Sequence, residues 1–252
     1  MDHTNIWLPL LLSFLAGIFT ICGSVIPLFI KELKKSYLQF SLGLSGGVMI
    51  YVSFVELLPS SITHVGPFKA NLSFFGGIFL FMLVDFLIPH IYIGERTKTN
   101  TCDSRLMNAG IFTTLGIAIH NFPEGVAVFM SAMVDIKLGI ALAIAVALHN
   151  IPEGIAVAMP IYYATKSKRK ALWYSFLAGF TEPAGAVIAL LVLMPFLTAS
   201  ILSMALAFVA GIMVFISLDE LLPLSCEDKG YHVSIAGFIV GMAVMATSLI
   251  LL

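Results

Sequence analysis

The chain has 252 residues, of which 60% are hydrophobic and 11% charged, with a net charge of −1 and a mean hydropathy of +1.03. A soluble globular domain carries roughly 25% charged residues, so an ordinary soluble domain is excluded. The near-neutral charge also leaves no electrostatic footprint for nucleic acid. Cys22, Cys102 and Cys226 lack CxxC spacing, and three cysteines cannot all pair, so no disulfide framework is expected.

Apolar runs long enough to cross a bilayer as helices, about 20 residues each, follow one another along the chain. Eight are predicted, at 7–30, 38–60, 71–93, 106–134, 138–164, 170–193, 199–224 and 232–252. The first has no basic segment before it and is long enough to span, so it reads as an uncleaved helix rather than a signal peptide. Short polar segments separate the runs, among them Lys31 to Lys35, Gly94 to Arg105 and Lys166 to Lys170. The odd-numbered loops carry eleven of the 13 Lys and Arg residues, and the even-numbered loops carry only Lys69 and Lys137. Cytoplasmic loops concentrate Lys and Arg, which places the odd loops in the cytoplasm and both termini outside it.

Spans 1 and 2 recur later in the chain. Gly47-Val-Met-Ile-Tyr-Val-Ser-Phe-Val-Glu56-Leu-Leu-Pro59 in span 2 matches Gly211-Ile-Met-Val-Phe-Ile-Ser-Leu-Asp-Glu220-Leu-Leu-Pro223 in span 7, at an offset of 164. Leu15-Ala16-Gly17, with Gly23, matches Leu177-Ala178-Gly179, with Gly185, at an offset of 162. With the alternating orientation, residues 7–93 and 170–252 are expected to form inverted repeats around a central pair at 106–164, all within one membrane domain. Inverted repeats whose helices meet near the midplane are a common transporter architecture.

The central pair carries the chemistry. Span 4 contains His120-Asn121-Phe122-Pro123-Glu124-Gly125, and span 5 contains His149-Asn150-Ile151-Pro152-Glu153-Gly154. Ionisable residues at the bilayer centre cost about 2.5–3.5 kcal/mol each on insertion scales. Residues three and four apart share a helix face, so His120 with Glu124, and His149 with Glu153, project together. Each proline lacks an N–H and clashes with the carbonyl four residues back, so both helices are expected to kink beside these side chains. Glu182 in span 6 adds a third carboxylate, and its repeat partner is Thr20.

His120, Glu124, His149 and Glu153 give an N2O2 set suited to zinc or iron(II). Asn121, Asn150 and Glu182, with Glu124 and Glu153 bridging, give an all-oxygen set suited to harder ions. No thiolate appears, which argues against copper(I). Three crowded carboxylates need cations or protons between them. Glu56 at one end of span 2, and Asp219 with Glu220 in span 7, read either as stations for a passing cation or as residues reaching the interface. Asp85 and His90 in span 3 read as structural, and His64 and His232 as solvated loop residues.

The paired strings, Glu182-Pro183, the eight spans and the short third loop resemble the ZIP family of divalent-metal permeases, in particular its bacterial ZupT-like branch. The resemblance covers essentially the whole chain. It implies a 3+2+3 helix bundle, a binuclear metal centre in helices 4 and 5, uptake into the cytosol across the cell (inner) membrane, and a homodimer. Carried over, His120, Asn121, Glu124, His149, Asn150, Glu153 and Glu182 are the metal ligands. Divalent cations (zinc, with iron(II), manganese and cobalt) are then transported substrate rather than cofactor. Many relatives have a His-rich third loop; here that loop has no His, which argues against metal sensing by it. The rival reading is a membrane-embedded di-metal enzyme. A zinc protease would need His-Glu-x-x-His and a di-iron oxidase Glu-x-x-His pairs. The order here is His-Asn-x-Pro-Glu.

Overall fold

Inside a bilayer no water is available to backbone N–H and C=O groups, so a segment must satisfy them itself, as a helix does. The computed structural model describes residues 6–29, 34–87, 102–193, 196, 198–225 and 231–251. Among these residues all regular structure is helical. Eight helical spans are long and apolar enough to cross a membrane: Trp7–Phe29, Lys35–Val65, Pro67–Phe86, Leu106–Val134, Gly139–Thr165, Lys168–Val192, Ala199–Asp219 and Tyr231–Ile250. They are spans 1 to 8 below, and the chain is a multi-pass membrane protein. His90 and the basic third loop up to Thr101 lie outside the described residues.

Local chemistry sets several span ends. Asp135 Oδ1 accepts from Lys137 N at 2.8 Å, and Ser167 Oγ accepts from Lys170 N at 3.3 Å, capping the helices that follow. Lys166 closes span 5 in the left-handed region, at φ 54°. Gly66, at φ 81°, turns the chain between spans 2 and 3, where a side chain would be strained.

Spans 4 and 5 run as α-helix through Pro123 and Pro152, within Cys102–Val134 and Ile136–Thr165. The departures from α geometry lie elsewhere. Span 2 widens to a π-turn at Ser53–Leu57 and span 7 at Ser217–Leu221, and span 6 has another at Ala189–Leu193. The first two turns each precede a proline, Pro59 and Pro223, whose ring would clash with the carbonyl of Val55 or Asp219 in a regular helix. Both sit at a Ser whose hydroxyl bonds back one turn: Ser53 Oγ to Met49 O and Ser217 Oγ to Met213 O, each at 2.7 Å.

Span 2 packs on span 8 and span 3 on span 7, while span 1 packs on spans 5 and 6 and span 4 on spans 5 and 6. Glycines set the closest approaches. A Cβ on Gly23 would run into the carbonyl of Ile151, and one on Gly185 into that of Phe122. Gly154 meets the carbonyl of Thr20, and Gly125 that of Glu182; Gly17 and Gly179 meet each other's. Small residues permit such backbone contact between membrane helices, where packing replaces the hydrophobic effect as the driving force. Large apolar side chains such as Phe75, Phe79 and Phe86 on span 3, and Ile239 and Val244 on span 8, face outward.

Gly46 and Gly47 separate these effects. Gly47 abuts the carbonyl of Phe238, whereas a Cβ on Gly46 would make only ordinary contact with the Phe238 ring. Gly46→Ala is expected to leave thermal stability unchanged or raised, since Ala exceeds Gly in helix propensity by about 1 kcal/mol. Gly47→Ala is expected to cost about 1–3 kcal/mol through overpacking, read as a lower melting temperature of the purified protein in detergent.

Candidate metal centre

Span 4 packs against spans 5 and 6, so the two six-residue strings and Glu182 come together as the sequence predicts. The α-helical spacing puts the His and Glu of each string on one face. The structure then pairs them across the helices. His120 Nε2 lies 3.0 Å from Glu153 Oε1, and His149 Nε2 lies 3.4 Å from Glu124 Oε2. The imidazole of each span is therefore held by the carboxylate of the other.

The two asparagines anchor this pair to spans 1 and 6. Asn150 Nδ2 donates to Ala16 O at 2.9 Å, and Asn121 Nδ2 to Ala178 O at 3.3 Å. Ala16 and Ala178 are the middle residues of the matched Leu-Ala-Gly triplets. Asn150 makes one contact more: it donates to Glu182 Oε2 at 2.7 Å. Thr20, which stands in span 1 where Glu182 stands in span 6, makes no such bond; its Oγ1 is buried and unpaired.

All seven residues are enclosed, none more than 3% exposed. Each nevertheless retains one side-chain atom without a hydrogen-bond partner: Nδ1 of His120 and His149, Oδ1 of Asn121 and Asn150, Oε1 of Glu124 and Glu182, and Oε2 of Glu153. The large majority of buried side-chain polar atoms in folded proteins are bonded. Seven exceptions in one cluster, all nitrogen or oxygen lone-pair donors, are the chemistry of a hard or borderline cation site. Among the described residues no three His, Cys, Asp or Glu side chains already form a closed metal-binding cluster. Imidazole and carboxylate meet in pairs instead, so an ion would have to exchange these hydrogen bonds for coordination.

The remaining candidates fall outside this cluster. Glu56 lies half-buried in the π-turn of span 2. Asp219 lies exposed in the matching turn of span 7; the side chain of Glu220 is outside the described residues. Asp85 is half-buried near the end of span 3. His64 is exposed and bonds Ser60 O at 2.7 Å, and His232 lies edge-on to Tyr231. Cys22, on span 1, is a free thiol.

Two residues that bear on the centre escaped sequence reasoning. Ser13 Oγ bonds the carbonyls of Gly125 and Glu182, at 3.2 and 3.4 Å, and Ser45 Oγ bonds that of Pro152 at 2.5 Å. A lone Ser in an apolar helix carries no sequence signal that separates bonding to a neighbouring helix from bonding to its own.

Comparison with known proteins agrees with this chemistry. Residues 93–249 match the family model described as ZIP Zinc transporter. The zinc transporter ZupT of Chlorobium phaeovibrioides is 49% identical over 98% of this chain and 99% of its own length. The ZupT proteins of Akkermansia muciniphila and Streptococcus mutans are each 46% identical, over 99% and 98% of this chain respectively and 98% of their own lengths.

The unequal bonding of the two asparagines is testable. Asn150→Ala strips Glu182 of its hydrogen-bond partner, whereas Asn121→Ala releases only Ala178 O, which still accepts from Thr181 Oγ1 at 2.6 Å. Leaving a buried carboxylate unpaired costs about 1–3 kcal/mol or more, so Asn150→Ala should lower the metal-free melting temperature further than Asn121→Ala.

Proposed function

The chain belongs to the ZIP zinc transporter family, and from that premise we propose that it carries zinc into the cytoplasm through His120, Asn121, Glu124, His149, Asn150, Glu153 and Glu182. It is a transporter rather than an enzyme. The observation that carries the ligand assignment is the set of seven buried, incompletely bonded nitrogen and oxygen donors where spans 4, 5 and 6 meet. A divalent cation offsets the desolvation of the three carboxylates, whose burial without a partner costs several kcal/mol each.

The set divides into two positions. His120, His149, Glu124 and Glu153 make the nitrogen-containing one. Asn121, Asn150 and Glu182 complete an oxygen-rich one that shares both bridging carboxylates. Cross-helix His–Glu pairing keeps the donors together between transport events. The oxygen-rich position admits iron(II), manganese and cobalt alongside zinc.

Spans 1–3 and 6–8 are inverted repeats about the central pair, in a 3+2+3 order. The support is that equivalent contacts recur with partners exchanged. Asn150 to Ala16 is matched by Asn121 to Ala178; Gly23 on Ile151 by Gly185 on Phe122; Gly47 on Phe238 by Gly211 on Phe74; and the π-turn of span 2 by that of span 7. A pseudo-two-fold in the membrane plane places the centre at the midplane and suits alternating access about it. Both termini face outward from the inner membrane, and Glu56 with Asp219 and Glu220 lie along the approaches to the site. The protein assembles as a homodimer, as the resemblance implies.

The test is flux into sealed proteoliposomes. Zinc uptake by the parent protein should saturate with concentration. Glu124→Ala and Glu153→Ala should each abolish it while the protein still inserts. Glu182→Ala should alter the ranking of zinc, iron(II), manganese and cobalt more than it alters zinc uptake alone. Normal uptake by Glu124→Ala would overturn the assignment.

A further inference from the structure

Outside the metal centre, a groove of about 980 Å³ opens between spans 1 and 6. Its floor is apolar, with Ile21 from span 1 and Trp173 and Phe176 from span 6. Its mouth is basic, lined by Arg169 and Lys170 in the first turn of span 6. Among the described residues neither cation has a carboxylate partner, whereas the neighbouring Lys166 sits 4.3 Å from the centre of the Tyr163 ring. Below the mouth, Trp173, Phe176 and Phe180 stack in a ladder, each ring centre 5.6 Å from the next, and all three stay exposed.

We infer that this groove binds an anionic phospholipid of the cytoplasmic leaflet, with the phosphate at Arg169 and Lys170 and an acyl chain along Trp173 and Phe176. Charge and depth both fit. Basic pockets between membrane helices on the cytoplasmic side hold anionic head groups, and Trp belongs at the level of the interface. An apolar floor of stacked rings suits a hydrocarbon chain and leaves nothing for a free phosphate to gain.

The repeat-related face of span 1 makes the contrast. Where span 6 has Arg169, Lys170 and Trp173, span 1 has Trp7, Leu8 and Leu11, an offset of 162 with no cation. The groove is therefore a feature of one membrane face only. Its basic mouth lies on the helix that carries Glu182, but Arg169 is 13 residues away, about 20 Å along the axis at 1.5 Å per residue. Substitution there leaves the metal ligands untouched. The leaflet assignment rests on the orientation proposed above; binding itself does not, and the test needs neither zinc nor flux.

The chain has two Trp residues, and Trp7 is 74% exposed, so Trp7→Phe makes Trp173 the sole tryptophan reporter. In phosphatidylcholine bilayers, quenching of Trp173 by brominated phosphatidylglycerol should half-saturate at about a thirtyfold lower mole fraction than quenching by brominated phosphatidylcholine, as two basic side chains at an anionic head group imply. Arg169→Gln/Lys170→Gln should erase that preference. Arg169→Lys/Lys170→Arg should retain it, as should Lys69→Gln/Lys137→Gln, which removes equal charge at the opposite ends of spans 3 and 5. Equal quenching of the parent by both lipids, or equal loss of the preference in the two Gln double variants, would overturn the proposal.

Discussion

Three carboxylates and two imidazoles lie fully enclosed in a protein whose outer surface is built for hydrocarbon. Ionised groups in such a medium lose their hydration, and their mutual repulsion is barely screened. They are stable together only if each meets an oppositely polarised partner. The cross-helix pairs His120–Glu153 and His149–Glu124, and the amide of Asn150 on Glu182, are those partners here. The same crowding that makes the cluster costly to bury favours the cation proposed for it, because a divalent ion would answer all three carboxylates at once.

Much of the helix packing serves this arrangement. The cluster needs spans 1, 4, 5 and 6 at backbone contact, and the glycines at 17, 23, 125, 154, 179 and 185 supply it, each facing a carbonyl of a neighbouring helix. The asparagines then tie spans 5 and 4 to the carbonyls of Ala16 and Ala178. Spans 3 and 8 form more exposed flanks, packed on spans 7 and 2. The π-turns of spans 2 and 7 provide irregular backbone away from spans 4 and 5, which stay α-helical through their prolines.

The spans were legible because a bilayer-crossing helix must be a long apolar run, and the polar cluster because His, Asn and Glu stand out in such a run. The Leu15-Ala16-Gly17 and Leu177-Ala178-Gly179 match proved more informative than it looked: Ala16 and Ala178 are the asparagine acceptors, and Gly17 and Gly179 touch. Pro123 and Pro152 lie inside continuous α-helices, and the π-turns precede Pro59 and Pro223 instead, which the sequence did not single out for irregular backbone. Nothing in composition separates a proline absorbed by a packed α-helix from one that widens it; neighbouring helices decide. The extra bond of Asn150 to Glu182, and the roles of Ser13 and Ser45, depend on crossings that no local pattern encodes.

The central claim is that zinc is held by imidazole and oxygen donors of spans 4, 5 and 6. Zinc K-edge X-ray absorption on the zinc-loaded protein tests it most directly. The account predicts a first shell of nitrogen and oxygen at about 2.0–2.2 Å, with imidazole outer-shell scattering that disappears in His120→Ala/His149→Ala. A sulfur shell near 2.3 Å, or imidazole scattering undiminished in that double variant, would contradict it.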